Sequence, residues 1–205
     1  INGISSDGHA SNIIPAMQGF FMHVSDGTYP VAATLIFTNN VRVNNLSPYF
    51  HKAVQDDSRP LLRIEARYGS GNAKGDPAVI YFDPDATPSF DKDRDALKLM
   101  NTDVLVPNLY VISDMQQMSI NGMPYPVDSL TIIPLGLKTR QAGQVIFNAL
   151  NIRNMPPNLW VYLFDNKNGV HQNLFVQRQY SVYLDTADYQ DRFAIVFSKK
   201  DFLVS

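Results

Sequence analysis

Residues 61–68 read LLRIEARY. Leu62, Ile64 and Ala66 are apolar, and Arg63, Glu65 and Arg67 between them are charged. Successive side chains on a strand point to opposite faces, so this octapeptide buries one face and wets the other. The same period of two recurs along the chain. RFAIVFS (192–198) sets Phe193, Ile195 and Phe197 against Arg192, Ala194 and Ser198. QVIFNAL (144–150) gathers Val145, Phe147 and Ala149 on one face, and YSVYL (180–184) gathers Tyr180, Val182 and Leu184. QGFFMHV (18–24), ATLIF (33–37), AVIYF (78–82), LYVI (109–112), LTIIPL (130–135) and LWVYLF (159–164) are further β-rich runs of strand length.

Turn chemistry separates these runs. Ser25-Asp26-Gly27, Asn39-Asn40, Gly69-Ser70-Gly71, Met155-Pro156-Pro157 and Asn166–Gly169 are such breaks. Asn121-Gly122 and Asn168-Gly169 are dipeptides that tight hairpins favour, because both central residues need positive φ. Helices are expected only as short pieces, one from Ser89 or Asp91 to Leu99 and one near Tyr49–Val54. About a dozen strands without crossover helices predict an all-β fold, an antiparallel β-sandwich of jelly-roll type with one or two short helices. One domain is expected over 1–205, with a seam near 100–107 as the lesser option.

Composition narrows the function classes. The 205 residues are 45% hydrophobic and 18% charged, enough apolar material for a substantial core. Net charge is −2, with no basic excess to neutralise phosphates, so nucleic acid is not an expected partner. There is no cysteine, which removes disulfides, thiolate zinc sites and thiol nucleophiles. No apolar run approaches the roughly 18 residues of a membrane-spanning helix, so membrane insertion is not expected. The opening Ile1-Asn2-Gly3 fits a processed protein or a piece of a longer one.

The stretch that looks most like a site is IYFDPDATPSFDKDRDALKL (80–99). Asp91, Asp93 and Asp95 fall on positions 1, 3 and 5 of a calcium loop. Ala96 stands where that loop needs Gly, and Thr102 where it needs a bidentate Glu. A less regular calcium site using Asp83, Asp85 and a backbone carbonyl is the alternative to no cofactor, which makes Asp83, Asp85, Asp91, Asp93 and Asp95 the candidate metal ligands. Catalytic carboxylates from 83–95, as in a secreted glycan hydrolase, are the enzymatic alternative. The plainer reading is a strand-to-helix corner, with Asp83-Pro84 ending the strand and Ser89 or Asp91 capping the helix.

No nucleophile elbow, phosphate loop or paired histidine is found, so no catalytic residue is assigned. The aromatic strip is a second candidate. Trp160, Tyr162 and Phe164 share one face of LWVYLF, over roughly 13 Å of strand. Such rings suit stacking on sugars if exposed, or packing beneath a loop or neighbouring domain if not. Because Leu159, Val161 and Leu163 fill the other face, either the strand lies between two layers or the Trp160 face is partly exposed, and partial exposure is the expectation.

A set of phrases in fixed order resembles a known family. They are IIPAMQGFFMHV (13–24), LIFTNNVRV (35–43), LLRIEA (61–66), AVIYFDPDATPSFDKDRDALKL (78–99), LYVISD (109–114), SINGMP (119–124), IIPLGLKTRQAGQVIF (132–147), WVYLFDNKNG (160–169) and YSVYLDTADYQDRFAIVF (180–197). Together they look like the β-rich module of secreted Bacteroidetes surface proteins, commonly found shortly before a type IX secretion sorting domain. Asp128-Ser129-Leu130 and Asp185-Thr186-Ala187 also match the short O-glycosylation signal of such exported proteins. The resemblance implies secretion to the cell surface, outside the outer membrane. It supplies no catalytic residues. The expectation is a noncatalytic module for adhesion, carbohydrate binding or structural support, with glycans, surface proteins or neighbouring domains as partners.

Overall fold

The computed structural model describes residues 32–41, 58–69, 74–126 and 129–201. Contacts divide the chain into two compact units, 1–56 and 57–205. In the first, residues 32–38 form no strand and a 3-10 turn covers Asn39–Val41. The strand expected at 33–37 is therefore absent, and Leu35, Ile36 and Phe37 are exposed. Apolar alternation makes a strand only where a neighbouring strand supplies a ladder. The strand expected at 18–24 and the helix at 49–54 lie outside the described residues.

The second unit is all-β. Its strands are β1 (Leu61–Tyr68), β2 (Asp76–Phe82), β3 (Ala96–Leu97), β4 (Asn108–Ser113), β5 (Gln116–Met123) and β6 (Leu130–Lys138). They continue as β7 (Gly143–Arg153), β8 (Trp160–Asp165), β9 (Val170–Asn173), β10 (Gln179–Leu184) and β11 (Asp188–Ser198). The stretch 100–107 lies inside this unit.

All eleven strands belong to one hydrogen-bonded sheet, in the order β10-β7-β1-β2-β5-β4-β6-β11-β8-β9, with β3 on β5. A sandwich would need two separate ladders. Here a single sheet curls until its inner face meets itself and comes close to a barrel. Phe82 of β2 packs edge-on against Phe197 of β11 at 4.8 Å between ring centroids. Phe147 of β7 meets Phe193 of β11 at 4.7 Å. Leu62, Ile64 and Ala66 lie fully buried in the same core, as LLRIEARY requires. Each fully buried Phe or Leu there contributes about 2 kcal/mol.

Three expectations are corrected. The β2–β5 ladder is parallel, although every other ladder between described strands is antiparallel. Asn121-Gly122 is not a hairpin tip but lies within β5. Gly122 is there for close approach, since a Cβ on it would lie 2.8 Å from the Tyr81 hydroxyl. The helix expected to end at Leu99 is reduced to one turn at Asp91–Asp95, followed by β3. Asp91 Oδ1 accepts the Asp93 N–H and Asp95 Oδ2 accepts the Asp91 N–H, satisfying the backbone locally. Leu97 of β3 is 39% exposed.

Candidate functional site

The acidic stretch gathers around a cation that the chain itself supplies. Arg94 Nη1 lies 3.0 Å from Asp91 Oδ2, its Nε 3.7 Å from Asp83 Oδ1, and its Nη2 3.7 Å from Asp85 Oδ2. Arg59 adds a second guanidinium, 3.1 Å from Asp83 Oδ2. Burial alone would raise the Asp83 carboxyl. The Asp85 N–H, the Arg59 hydrogen bond and the Arg94 charge outweigh it and hold Asp83 below the ordinary range.

Asp95 behaves in the opposite way. Burial pushes its carboxyl up, although the Asp91 and Gly122 N–H groups donate to it. Asp93 points outward and meets only Lys92, at 3.1 Å on the exposed surface. The five aspartates therefore do not converge on one point. Among the described residues, no group of three or more His, Asp or Glu side chains is arranged to hold a metal ion. The corner expected from Asp83-Pro84 is present, with Asp91 capping its single turn and ion pairs to arginine holding it.

The aromatic strip on β8 is not an open shelf. Tyr162 is fully buried, and its hydroxyl donates to the Asp201 carboxylate. Trp160 is half-buried with its edge toward Phe175, at 6.3 Å between centroids. Phe164, also half-buried, stacks on His171 at 4.4 Å. A sugar ring could not lie along all three residues.

Register enlarges this face. Directly opposed residues point the same way, and β6, β11 and β8 align Leu130-Ser198-Trp160, Ile132-Val196-Tyr162 and Pro134-Ala194-Phe164. Leu130 is 41% and Ile132 56% exposed, and Pro134 is exposed as well. The outer face of these three strands is thus largely apolar, but Ser198, Val196, Ala194 and Tyr162 along its middle are buried and full exposure is confined to β6. Leu130, Ile132 and Pro134 were not singled out from the sequence. The signal was available, because LTIIPL, like LWVYLF, is apolar at both parities.

A third feature is polar. Asp165 ends β8 with no exposed surface, and Arg192 of β11 grips it with two bonds of 2.9 Å. The Tyr180 hydroxyl of β10 donates to Asp165 Oδ2 at 2.8 Å, and Asn168 Nδ2 donates to the same atom at 3.0 Å. Burial would raise the Asp165 carboxyl, but the Arg192 and Tyr180 hydrogen bonds hold it below the usual value. This cluster ties β10, at one end of the sheet, to β8 near the other. Beside it, residues 190–192 bulge out of the β6–β11 ladder. Asn166, Lys167 and residues 188–192 line a shallow open depression of about 360 Å³ there.

The chain belongs to the family described as Domain of unknown function (DUF8693), whose model matches residues 2–197. No curated protein and no solved structure matches it.

Proposed function

We propose that this family member is a noncatalytic contact module of an exported surface protein. The observation that carries this reading is the apolar outer face of β6, β11 and β8. The middle of this face, Tyr162, Val196 and Ala194, is already buried, but its β6 margin remains open. Exposed Leu130, Ile132 and Pro134 beside half-buried Trp160 and Phe164 therefore favour a protein surface as the partner, either a neighbouring domain or another surface protein. Glycan contact is the second reading, and burial of Tyr162 confines it to the Trp160 and Phe164 ends of the strip.

The carboxylates favour the noncatalytic side. Asp83, Asp91 and Asp165 are each tied to arginine, and the depression beside Arg192 is open and shallow, not a cleft around two convergent acids. Export to the cell surface rests on the likeness of the ordered phrases to secreted Bacteroidetes modules.

A glycan array and an oligosaccharide hydrolysis assay test the reading together. The expected result is no turnover, with any glycan hit lost in Trp160→Ala. Turnover abolished by Asp83→Asn or Asp91→Asn would establish the hydrolase alternative instead.

A further inference from the structure

Asp76 opens β2 directly opposite Ala66 of β1. Ala66 faces the core, so the Asp76 side chain turns the same way. Lys98 follows β3, and its Nζ lies 2.5 Å from Asp76 Oδ2. Only 4% of the Lys98 side chain and 8% of the Asp76 side chain are exposed. The Leu109 N–H donates to the same Oδ2 at 2.7 Å. The Lys92–Asp93 and Lys138–Asp188 pairs, by contrast, lie at the surface. Lysine and aspartate rarely occur this deeply buried, and the pair takes no part in either cluster described above.

We propose that Lys98 and Asp76 become joined by an intramolecular isopeptide bond. The ammonium passes one proton to the carboxylate along their hydrogen bond, leaving an amine beside a carboxylic acid. Nζ then attacks Cγ and a C–N bond forms. The Leu109 N–H, bonded to Oδ2, holds the carboxyl in place for the attack, and the charge of the tetrahedral adduct develops on Oδ1. Nζ gives up a second proton to Oδ2, the Cγ–Oδ2 bond breaks, and Oδ2 departs as water. Of the three ammonium hydrogens, one stays on the amide and two leave with the oxygen. No oxidant, reductant or co-reactant is consumed.

Two physical circumstances favour the step. Nucleophile and electrophile are fixed in contact by the fold, which removes the entropy cost of bringing them together. The product is a neutral amide at a place where two charges have lost most of their hydration. The new bond would close a covalent loop from residue 76 to residue 98, enclosing the whole aspartate–Arg94 corner.

Intact mass spectrometry of the full chain, folded and then denatured, reads the bond directly. The expected mass is below that of the sequence by one water. A tryptic digest should contain a branched peptide uniting the segments around Asp76 and Lys98. Lys98→Arg keeps the cation but cannot form the bond, so it should show the full sequence mass and a lower melting temperature. The mass is readable whether or not the variant folds. A wild-type chain at full sequence mass overturns the proposal, as does a water loss that persists in Lys98→Arg. Neither outcome bears on the contact role proposed above.

Discussion

Tyr110 of β4 lies across Gly136 of β6 so closely that a Cβ on Gly136 would sit 1.9 Å from the tyrosine ring. The two residues are opposed in the ladder, and the Tyr110 hydroxyl continues past Gly136 to donate to Asp188 of β11 at 2.6 Å. One ring thus covers the bare backbone of β6 and links three neighbouring strands. Burial, with the hydrogen bond to Asp188 acting the same way, pushes the Tyr110 hydroxyl far above its ordinary pKa, so it remains a donor throughout the useful pH range.

Gly136→Ala should therefore destabilise the protein by about 2–4 kcal/mol, because a fully buried ring has no room to yield. Urea denaturation measures this. Adding Tyr110→Ala to the variant should cost less than the sum of the two single changes. Strict additivity would show that the ring is not what Gly136 accommodates.

Arg192→Met should cost about 3–5 kcal/mol, since it leaves the Asp165 carboxylate buried without its cation. Replacing both partners, as Arg192→Met with Asp165→Leu, should recover part of the loss in chemical denaturation. No recovery would mean that the clasp acts through geometry and not through charge.

Acid should loosen the same clasp. The folded-state pKa of Asp165 lies below the unfolded value near 3.8, as does that of Asp83. Their contribution is complete above that value and is lost as pH falls through the depressed folded pKa. Asp95 has the opposite sign, because its raised pKa favours folding at low pH and that gain fades as pH rises. Melting curves across the acid range should show wild-type stability falling more steeply below about pH 4 than that of Asp165→Asn, which has already lost the term. Parallel profiles would contradict this assignment.

Calcium should leave the melting midpoint unchanged, since Arg94 already supplies positive charge to Asp83, Asp85 and Asp91. A ligand that binds only the folded state raises the midpoint with concentration, so a calcium-dependent rise would count against the guanidinium as the cation of this corner.

The all-β class was legible because residues such as Leu62, Ile64 and Ala66 declare their face by parity alone, a property of each strand by itself. Asn168-Gly169 was legible as a hairpin for the same local reason, and Gly169 has φ +64°. The β4–β5 hairpin was not, because Asp114 and Met115 take positive φ without a glycine to announce it. The wording of the acidic stretch showed a corner but not its cation. Arg94 was not singled out, and Arg59 lies 24 residues from Asp83.

Parity establishes which side chains seek the core. It carries no information about which strand stands beside which, because ladder hydrogen bonds are made by a backbone common to all residues. Only the tertiary structure decided that one sheet curls on itself in place of two stacked sheets, and that β6 joins β8 in an apolar outer face. The same is true of the meeting of Lys98 with Asp76 inside the core. Each of these depends on residues distant in sequence becoming neighbours, and that is settled by packing the whole chain at once.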